Sequence, residues 1–363
     1  MSNDLELLVD SGAFWDRLRR DIGQARHRVY VQAMTFEADR TGNAVARHLS
    51  ASGAADKRLL IDEYSRHIVS DKLARAPRYR GDHDLQRELR DTRRLDEALR
   101  QHDVRVRFVN PVGPLLVRFP FRNHKKLIIV DDDVAYFGGI NFSDHNFAWH
   151  DLMYRSSRPE LVAFLRDDVL ATWQGNNQRA SAAWPGIRLH ILDGQDNPKV
   201  FEPILAAMAS ARRRVFVECP YLTFPFIDAL REAKARGAEV TVVTSAVNNW
   251  AHYRDYMPWE LARSGVEVRY LRDRFTHLKT ILIDDTKLYV GSANYDIFSY
   301  WAQQELIAEI DDADAINEFR ALVVQKDLDD SHAATDGVRP VLGRLRRAEL
   351  RLLGRAMRVL RHL

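Results

Sequence analysis

Hydrophobic and polar positions follow the same order in two stretches of the chain. Apolar residues at helical spacing over Ser11–Arg26 predict an amphipathic helix, and the apolar run at 27–36 then predicts a strand. A helix followed by a strand is predicted again from Pro198 to Phe224. A repeat of about 150 residues is too long for a solenoid, and it implies two similar α/β halves.

Both halves continue with the same succession of elements. The pattern predicts a helix at 42–50 and 227–236, a second strand at 57–65 and 238–246, a third strand beginning at 104 and 266, and a closing helix at 159–174 and 313–325. Strands that alternate with helices favour a largely parallel or mixed sheet. We assign 1–175 to the first half, 176–187 to a linker, 188–335 to the second half and 336–363 to a C-terminal helix.

The first half has two stretches that the second lacks. One lies at 66–99 and is rich in Arg and Asp; it predicts a solvated helical insertion, or else a segment that selects a ligand headgroup or acts as a lid. The other, Pro111–Phe121, is apolar and rich in proline, so a regular element is not expected there. It is either a packing loop or a contact for an apolar chain beside the first motif described below.

The last 26 residues, from Val338 to Leu363, carry eight Arg and one Glu, a charge of +7 with His neutral. On a helical wheel the apolar residues cover one half, and six of the seven Arg after Pro340 lie on the other. Such a helix either docks on the protein with its arginines outward or lies in the interface of an anionic membrane.

Composition narrows the class of protein. The net charge is +3, so the chain without its tail carries 3 − 7 = −4, which is a poor match for a general nucleic-acid binder. The single cysteine, Cys219, predicts neither a disulfide nor a zinc site. Neither a signal peptide nor a run of about 20 apolar residues is found, so we expect a cytoplasmic protein peripheral to the inner face of the membrane.

A polar motif also occurs twice, 153 positions apart. The copies are HKKLIIVDDDVAYFGGIN at 124–141 and HLKTILIDDTKLYVGSAN at 277–294. Both read H-x-K, four residues, D, six residues, G-G/S-x-N. Each contains a short Ile- and Val-rich run that predicts a buried strand, on which His and Lys point the same way.

These residue types suit phosphoryl transfer without a metal or another cofactor. Lys126, Lys279, Asn141 and Asn294 can stabilise the charge on the phosphoryl oxygens. Of the two histidines, His124 and His277, one can attack phosphorus as a neutral imidazole while the other donates a proton to the leaving alcohol.

The paired motif resembles the HKD motifs of the phospholipase D superfamily, closest to bacterial cardiolipin synthases and related phosphatidyltransferases. Four flanking phrases are similar to that family's sequences as well: FEADRTG at 36–42, RNHKK at 122–126, Trp149-His150-Asp151, and ECPYLTF at 218–224. The resemblance implies a phospholipase D-like fold, with mixed sheets in two halves about a pseudo-twofold axis and one shared active site.

The resemblance also implies residue roles. His124 is then the nucleophile and His277 the general acid, while Asp151 and Glu305 orient the two imidazoles. Asp131 and Asp284 are mainly structural, as are the residues Gly138, Gly139, Gly291 and Ser292. Cardiolipin synthases typically carry Arg-Ser after the second Asn, whereas this chain has Phe298-Ser299, which affects the acceptor.

The expected function is transfer of a phosphatidyl group to an alcohol or lipid headgroup through a phosphohistidine. Phospholipid substrates and an anionic membrane surface are the expected partners. The alternatives are a phospholipase D with water as acceptor and a nuclease-like phosphodiesterase. A lipid-binding module without activity is expected to have lost a motif His or Lys, and all four are present.

Overall fold

The computed structural model describes residues 4–113, 117–334 and 340–360. It divides into two units, residues 1–178 and 179–363. Each unit is an α/β structure built on a mixed sheet, which confirms the predicted fold class. Of the helices in the described ranges, none combines the length and apolar character that crossing a bilayer requires.

The first unit contains nine strands and five helices in its described part. The strands are β1 (Leu5–Val9), β2 (Arg28–Ala33), β3 (Asp56–Asp62), β4 (Ile68–Val69), β5 (Lys72–Leu73), β6 (Val104–Val109), β7 (Leu127–Val130), β8 (Val134–Gly138) and β9 (Leu152–Ser156). The helices are α1 (Asp10–Gln24), α2 (Arg40–Ala51), α3 (His83–Gln101), α4 (Asp144–Ala148) and α5 (Pro159–Gln174).

Seven of these strands form one sheet, in the order β1-β9-β8-β7-β2-β3-β6. β2, β3 and β6 are parallel, and the remaining pairs are antiparallel. The apolar stripe of α1, which includes Phe14, Leu18 and Ile22, packs in the core with Val29 and Val31 of β2. Burial of that stripe explains why the helix forms where the periodicity predicts it.

The second unit also contains nine strands in its described part, with seven helices. The strands are β10 (Ala180–Trp184), β11 (Ile187–Asp193), β12 (Arg214–Glu218), β13 (Glu239–Thr244), β14 (Glu267–Leu271), β15 (Thr280–Ile283), β16 (Lys287–Gly291), β17 (Gln304–Ile310) and β18 (Ser331–Ala333). The helices are α6 (Pro198–Ala209), α7 (Phe226–Ala235), α8 (Ala251–Ala262), α9 (Ile297–Trp301), α10 (Ala313–Phe319), α11 (Gln325–Asp329) and α12 (Pro340–Leu360).

All nine strands of this unit belong to one sheet, in the order β10-β11-β17-β16-β15-β12-β13-β14-β18. Its centre repeats the pairing of the first sheet, because β12, β13 and β14 are parallel and β15 is antiparallel to β12. The internal repeat read from the sequence is therefore a repeat of sheet topology.

Two predicted segments differ from the structure. The predicted linker at 176–187 is wrong in part, because residues 180–184 form β10 and pair with β11 at the edge of the second sheet. The predicted insertion at 66–99 contains most of α3, which joins β3 to β6 as α8 joins β13 to β14. The part without a counterpart is the turn and the β4–β5 hairpin between β3 and α3.

Candidate active site

The first H-x-K segment lies immediately before β7, not within the strand as predicted. His124 and Lys126 are buried, and Lys126 Nζ donates to the carbonyl oxygen of His124 at 2.6 Å. Lys125, between them, instead forms a buried ion pair with Asp168 of α5, with Nζ 2.7 and 2.5 Å from the two carboxylate oxygens. Its different partner shows that neighbouring side chains diverge, as expected for extended backbone.

The second unit repeats this arrangement before β15. His277 and Lys279 are buried, and Lys279 Nζ donates to the carbonyl oxygen of His277. Both histidines are 5% exposed. The hydrogen bond to the histidine carbonyl holds each lysine beside the backbone of its own histidine and fixes where the positive charge lies.

Each H-x-K segment is held by a polar residue at the end of the second parallel strand of its unit. Asp62 is the last residue of β3, and Ser245 directly follows β13. The Asn123 N–H donates to Asp62 Oδ2 at 2.6 Å in the first unit. The Thr276 N–H donates to Ser245 Oγ at 2.8 Å in the second. Because these N–H groups belong to the residues directly before the histidines, both imidazoles start from an anchored backbone.

Asp62 is also the buried partner of Arg122. The Arg122 guanidinium donates to Asp62 Oδ1 at 2.8 Å and to the carbonyl oxygens of Asn110 and Arg118, each at 2.6 Å. Burial raises the pKa of Asp62 to about 6, although the Arg122 charge and two backbone N–H donors favour the carboxylate. Arg122 therefore links the backbone at Asn110 and at Arg118 to the end of β3.

The motif asparagines follow β8 and β16. Asn141 Oδ1 accepts from the Thr35 N–H at 3.3 Å. Asn294 is buried, and its Oδ1 has no hydrogen-bond partner among the described residues. A buried amide in that state costs free energy unless another group binds it, so Asn294 is suited to contact a ligand.

The two buried carboxylates are held differently. Asp151 Oδ1 accepts from the Leu152 N–H at 2.8 Å, and a Cβ at Gly139 would lie only 2.2 Å from that oxygen. The first unit thus keeps the short carboxylate of Asp151 against a glycine, and a side chain at 139 would displace it.

Glu305 is held by two serine hydroxyls. Ser292 Oγ, at the position that matches Gly139, donates to Glu305 Oε2 at 2.5 Å, and Ser299 Oγ donates to Oε1 at 2.7 Å. A longer carboxylate with hydroxyl donors replaces the Gly–Asp pair of the first unit. The sequence marked Ser299 only as the serine of an incomplete Arg-Ser pair.

The first glycine of each motif permits close approach of two strands. A Cβ at Gly138 would lie 2.4 Å from the carbonyl oxygen of Leu152, and one at Gly291 would lie 2.1 Å from that of Leu306. Gly291 also has a φ of 153°. These contacts explain why glycine is needed in both copies.

The motif aspartates bind backbone, in the same way in both units. Asp131 accepts from the N–H groups of residues 26–28, at 2.7 to 3.1 Å for the shortest contact of each. Asp284 accepts from those of residues 212–214, at 2.7 to 3.0 Å. Burial alone raises the pKa of each carboxyl, but the three N–H donors outweigh it, so both pKa values are lowered.

Aromatic side chains flank His277. The ring centroids of Tyr221 and His277 are 6.1 Å apart in an edge-on arrangement, and the centroids of Phe275 and His277 are 6.5 Å apart. In the first unit, Tyr64 follows β3, and its ring centroid lies 5.6 Å from that of Phe119. Residues 114–116 of the predicted apolar contact loop lie outside the described residues.

Three acidic side chains, Glu37, Asp39 and Glu88, bring carboxylate oxygens within 4.8 Å of one another. Burial, and then the charge of Glu88, raise the pKa of Glu37 to about 9. A carboxyl with this pKa is mostly protonated at pH 7.

The family model described as "Cardiolipin synthase, PLD-like domain" matches residues 18–173 and 204–325. These two ranges cover most of the chain, and each contains one motif. The chain therefore belongs to the family of phospholipase D-like, cardiolipin synthase domains, and the resemblance seen in the sequence is confirmed.

Curated relatives have the same family character. The major cardiolipin synthase ClsA of Bacillus subtilis is 24% identical over 340 residues, which cover 85% of this chain and 66% of that protein. Cardiolipin synthase A of Serratia proteamaculans is 27% identical over 344 residues, with the same two coverages. The chain thus spans slightly less than two thirds of the length of these relatives.

Solved structures share the fold. A phosphatidylserine synthase from Haemophilus influenzae superposes with a TM-score of 0.71 at 14% identity, over 98% of this chain and 95% of that one. A polyphosphate kinase from Porphyromonas gingivalis gives 0.59 at 12% identity, over 97% and 55%. At such identities the similarity concerns the fold alone.

Proposed function

We propose that this protein is a phosphatidyltransferase of the cardiolipin synthase type. The observation that carries the proposal is the repeated arrangement of a buried His, a Lys on that histidine's carbonyl, an Asn and a fixed carboxylate in both units. Membership of the cardiolipin synthase domain family supports the lipid substrate.

In the proposed first step, an imidazole nitrogen of His124 attacks the phosphorus of a phospholipid. A phosphorus–nitrogen bond forms while the bond from phosphorus to the headgroup oxygen breaks. His277 gives its proton to that oxygen, which leaves as an alcohol. Which histidine is the nucleophile follows from the family resemblance and not from the symmetric geometry.

In the proposed second step, an acceptor hydroxyl attacks the same phosphorus. His277 takes the hydroxyl proton, the phosphorus–nitrogen bond breaks, and His124 returns to its neutral form. The headgroup glycerol of phosphatidylglycerol is the acceptor that would give cardiolipin. With water as acceptor the same residues would give phosphatidic acid.

Lys126 and Lys279, with the amide nitrogen of Asn294 as a further donor, stabilise the negative charge on the phosphoryl oxygens. Each lysine is already oriented by its bond to the histidine carbonyl, so little reorganisation is needed as charge develops. Asp151 and Glu305 are proposed to orient the imidazoles. Their fixed hydrogen bonds to backbone and serine hydroxyls support that role.

We further propose that the protein works at the surface of an anionic membrane, on its cytoplasmic face. The substrates are themselves membrane lipids, and the basic C-terminal helix offers a contact. Nucleic acid is not a proposed substrate, because the chain without its tail is acidic.

Analysis of lipid products tests the proposal. Purified protein is incubated with phosphatidylglycerol, alone and with phosphatidylethanolamine, and the lipids are resolved by mass spectrometry. We expect cardiolipin from phosphatidylglycerol, and its loss in both His124→Ala and His277→Ala. Phosphatidic acid without cardiolipin would make the protein a hydrolase, and turnover by either variant would overturn the two-histidine mechanism.

A further inference from the structure

The C-terminal helix α12 packs one narrow face against the second unit. Its buried residues are Gly343, Leu350, Gly354 and Met357, and its packing partners are α8 and α9. A Cβ at Gly343 would lie 2.4 Å from the ring of Trp259, so glycine allows close contact there. The helix is therefore docked on the protein, as one of the two alternatives predicted.

The outer face of α12 nevertheless carries an apolar stripe. Its large members are Val341, Leu345, Leu352 and Val359, which are 51–79% exposed. Their spacing of four, seven and seven residues places them on one side of the helix. We call these four residues the outer stripe.

Arginines line one border of the outer stripe. Arg344, Arg351 and Arg355 are exposed and have no ion pair within the part of the chain that the structure describes. By contrast, Arg346 is paired with Asp255 and Glu349 on the other side of the helix. Arg346 thus lies on a different face of the helix from these three arginines.

A groove of about 400 Å³ opens between α8 and α12 at this border. It is lined by Trp259, Arg263, Arg344, Arg347, Ala348 and Arg351. Arg263 lies over the Trp259 ring at 4.8 Å, and Arg347 reaches Glu260 at 3.5 Å. The lining contains four guanidinium groups and no carboxylate, which is the composition of an anion site.

We propose that this arginine groove binds the phosphate of an anionic phospholipid within a bilayer, with the outer stripe buried in the membrane interface. It is a second lipid site, made by the second unit alone and separate from the histidine motifs. The proposal rests on the proposed function for its choice of a membrane.

The combination of features favours a lipid over a soluble phosphate. Guanidinium groups bind either phosphate, but a soluble ion gives no reason for exposed Leu345 and Leu352 beside the groove. A bilayer takes both at once, because the stripe reaches the acyl boundary while the bordering arginines stay at the level of the phosphates.

Vesicle sedimentation of the full chain tests the site. The probe is phosphatidylcholine vesicles with and without phosphatidylglycerol, and the variant is Arg344→Gln/Arg351→Gln. The matched control is Arg90→Gln/Arg93→Gln, which removes the same charge from exposed positions on α3. Removal of two basic residues from a membrane contact predicts about 30-fold weaker binding of the groove variant to the anionic vesicles. Little change is expected for the control.

Two further arms identify the ligand. Leu352→Ser is expected to weaken binding, whereas Val247→Ser, at an exposed apolar position outside α12, is not. Inorganic phosphate at matched ionic strength is expected to leave vesicle binding unchanged. Effective competition by phosphate would make the groove a site for soluble phosphate. Equal losses of vesicle binding in the groove and control variants would show that only the net charge of the protein matters, and would overturn the proposed site.

All binding measurements are repeated in the His124→Ala background, where lipid turnover is not expected. Turnover itself is measured separately on lipid dispersed in detergent micelles. Selective binding without turnover by the native protein would then count against the proposed function alone. Turnover in micelles with unchanged vesicle binding by Arg344→Gln/Arg351→Gln would overturn the groove alone.

Discussion

Single residues with two equivalent copies explain how each motif keeps its shape. Asp131 and Asp284 each have a left-handed backbone, with φ of 52° and 51°, and each gathers three consecutive N–H groups. A carboxylate that accepts several N–H bonds is favoured in its charged form. These residues therefore hold the backbone at the start of the first parallel strand of each unit. That backbone, at 26–28 and 212–214, is far along the chain from the histidines.

Asp131→Asn is expected to lower the free energy of unfolding by about 1–2 kcal/mol at pH 7, allowing for solvent screening. Because the pKa of Asp131 is lowered on folding, its contribution is complete above the unfolded pKa of about 3.9 and is lost as pH falls through the folded value. The difference from the native protein should thus close in acid. Denaturant unfolding across pH measures it.

The exposed neighbour Asp133 provides the control for this prediction. Asp133→Asn is expected to unfold like the native protein at every pH. A constant difference between Asp131→Asn and the native protein down to the lowest pH would contradict the account of Asp131.

Gly139 makes room for the carboxylate of Asp151. Gly139→Ala places a Cβ against the Asp151 oxygens, so we expect a loss of about 1–3 kcal/mol in stability and a fall in turnover. Gly23→Ala meets no atom within 4 Å and should be neutral or slightly stabilising. Thermal unfolding and lipid turnover compare the two, and a fully active Gly139→Ala protein would rule out this positioning of Asp151.

Residue types at fixed spacing identified the motif residues, but the sequence did not identify what supports them. Asp62 ends β3 and Ser245 directly follows β13. Their shared role, accepting from the N–H before the motif histidine, appears only when the two sheets are compared. Ser299 binds Glu305 through a turn of α9, a contact that no linear spacing in one copy predicts. Such contacts depend on tertiary placement.

At the scale of elements, the segment before β7 is fastened to helix α5 by the buried pair Lys125–Asp168. Lys125→Met leaves a buried carboxylate without its partner and is expected to cost about 3–5 kcal/mol. Lys125→Met/Asp168→Leu should recover most of the stability.

The exposed pair Lys199–Asp196 gives a comparison for this prediction. Lys199→Met is expected to change the free energy of unfolding by less than about 1 kcal/mol. Denaturant unfolding of the three variants provides the measurement. A double variant as unstable as Lys125→Met would show that the position, and not the unpaired charge, matters.

Elements with strong periodicity were predicted well, and weak ones were missed for physical reasons. α5 begins and ends where its apolar spacing places it. β10 consists largely of small residues at a half-exposed edge, so it resembled a linker. α8 has Pro258 in its interior and little amphipathic pattern, so its existence depends on packing against α12 and β14.

At the scale of the molecule, the repeat and the family could both be read from the sequence, while the state of the C-terminal helix could not. Its periodicity allowed docking or membrane contact. In the structure one face packs on the second unit and another face stays apolar and exposed. A helical wheel shows which residues are apolar, but it does not show which of them pack on the protein and which stay exposed.

The most direct test of the central claim is to find the histidine that carries the phosphorus. The native protein is incubated with phosphatidylglycerol labelled at phosphorus, quenched in alkali, where phosphohistidine is stable, and digested for mass spectrometry. We predict the label on the peptide that contains His124. Label on the peptide with His277, or cardiolipin formation without any labelled histidine, would contradict the account.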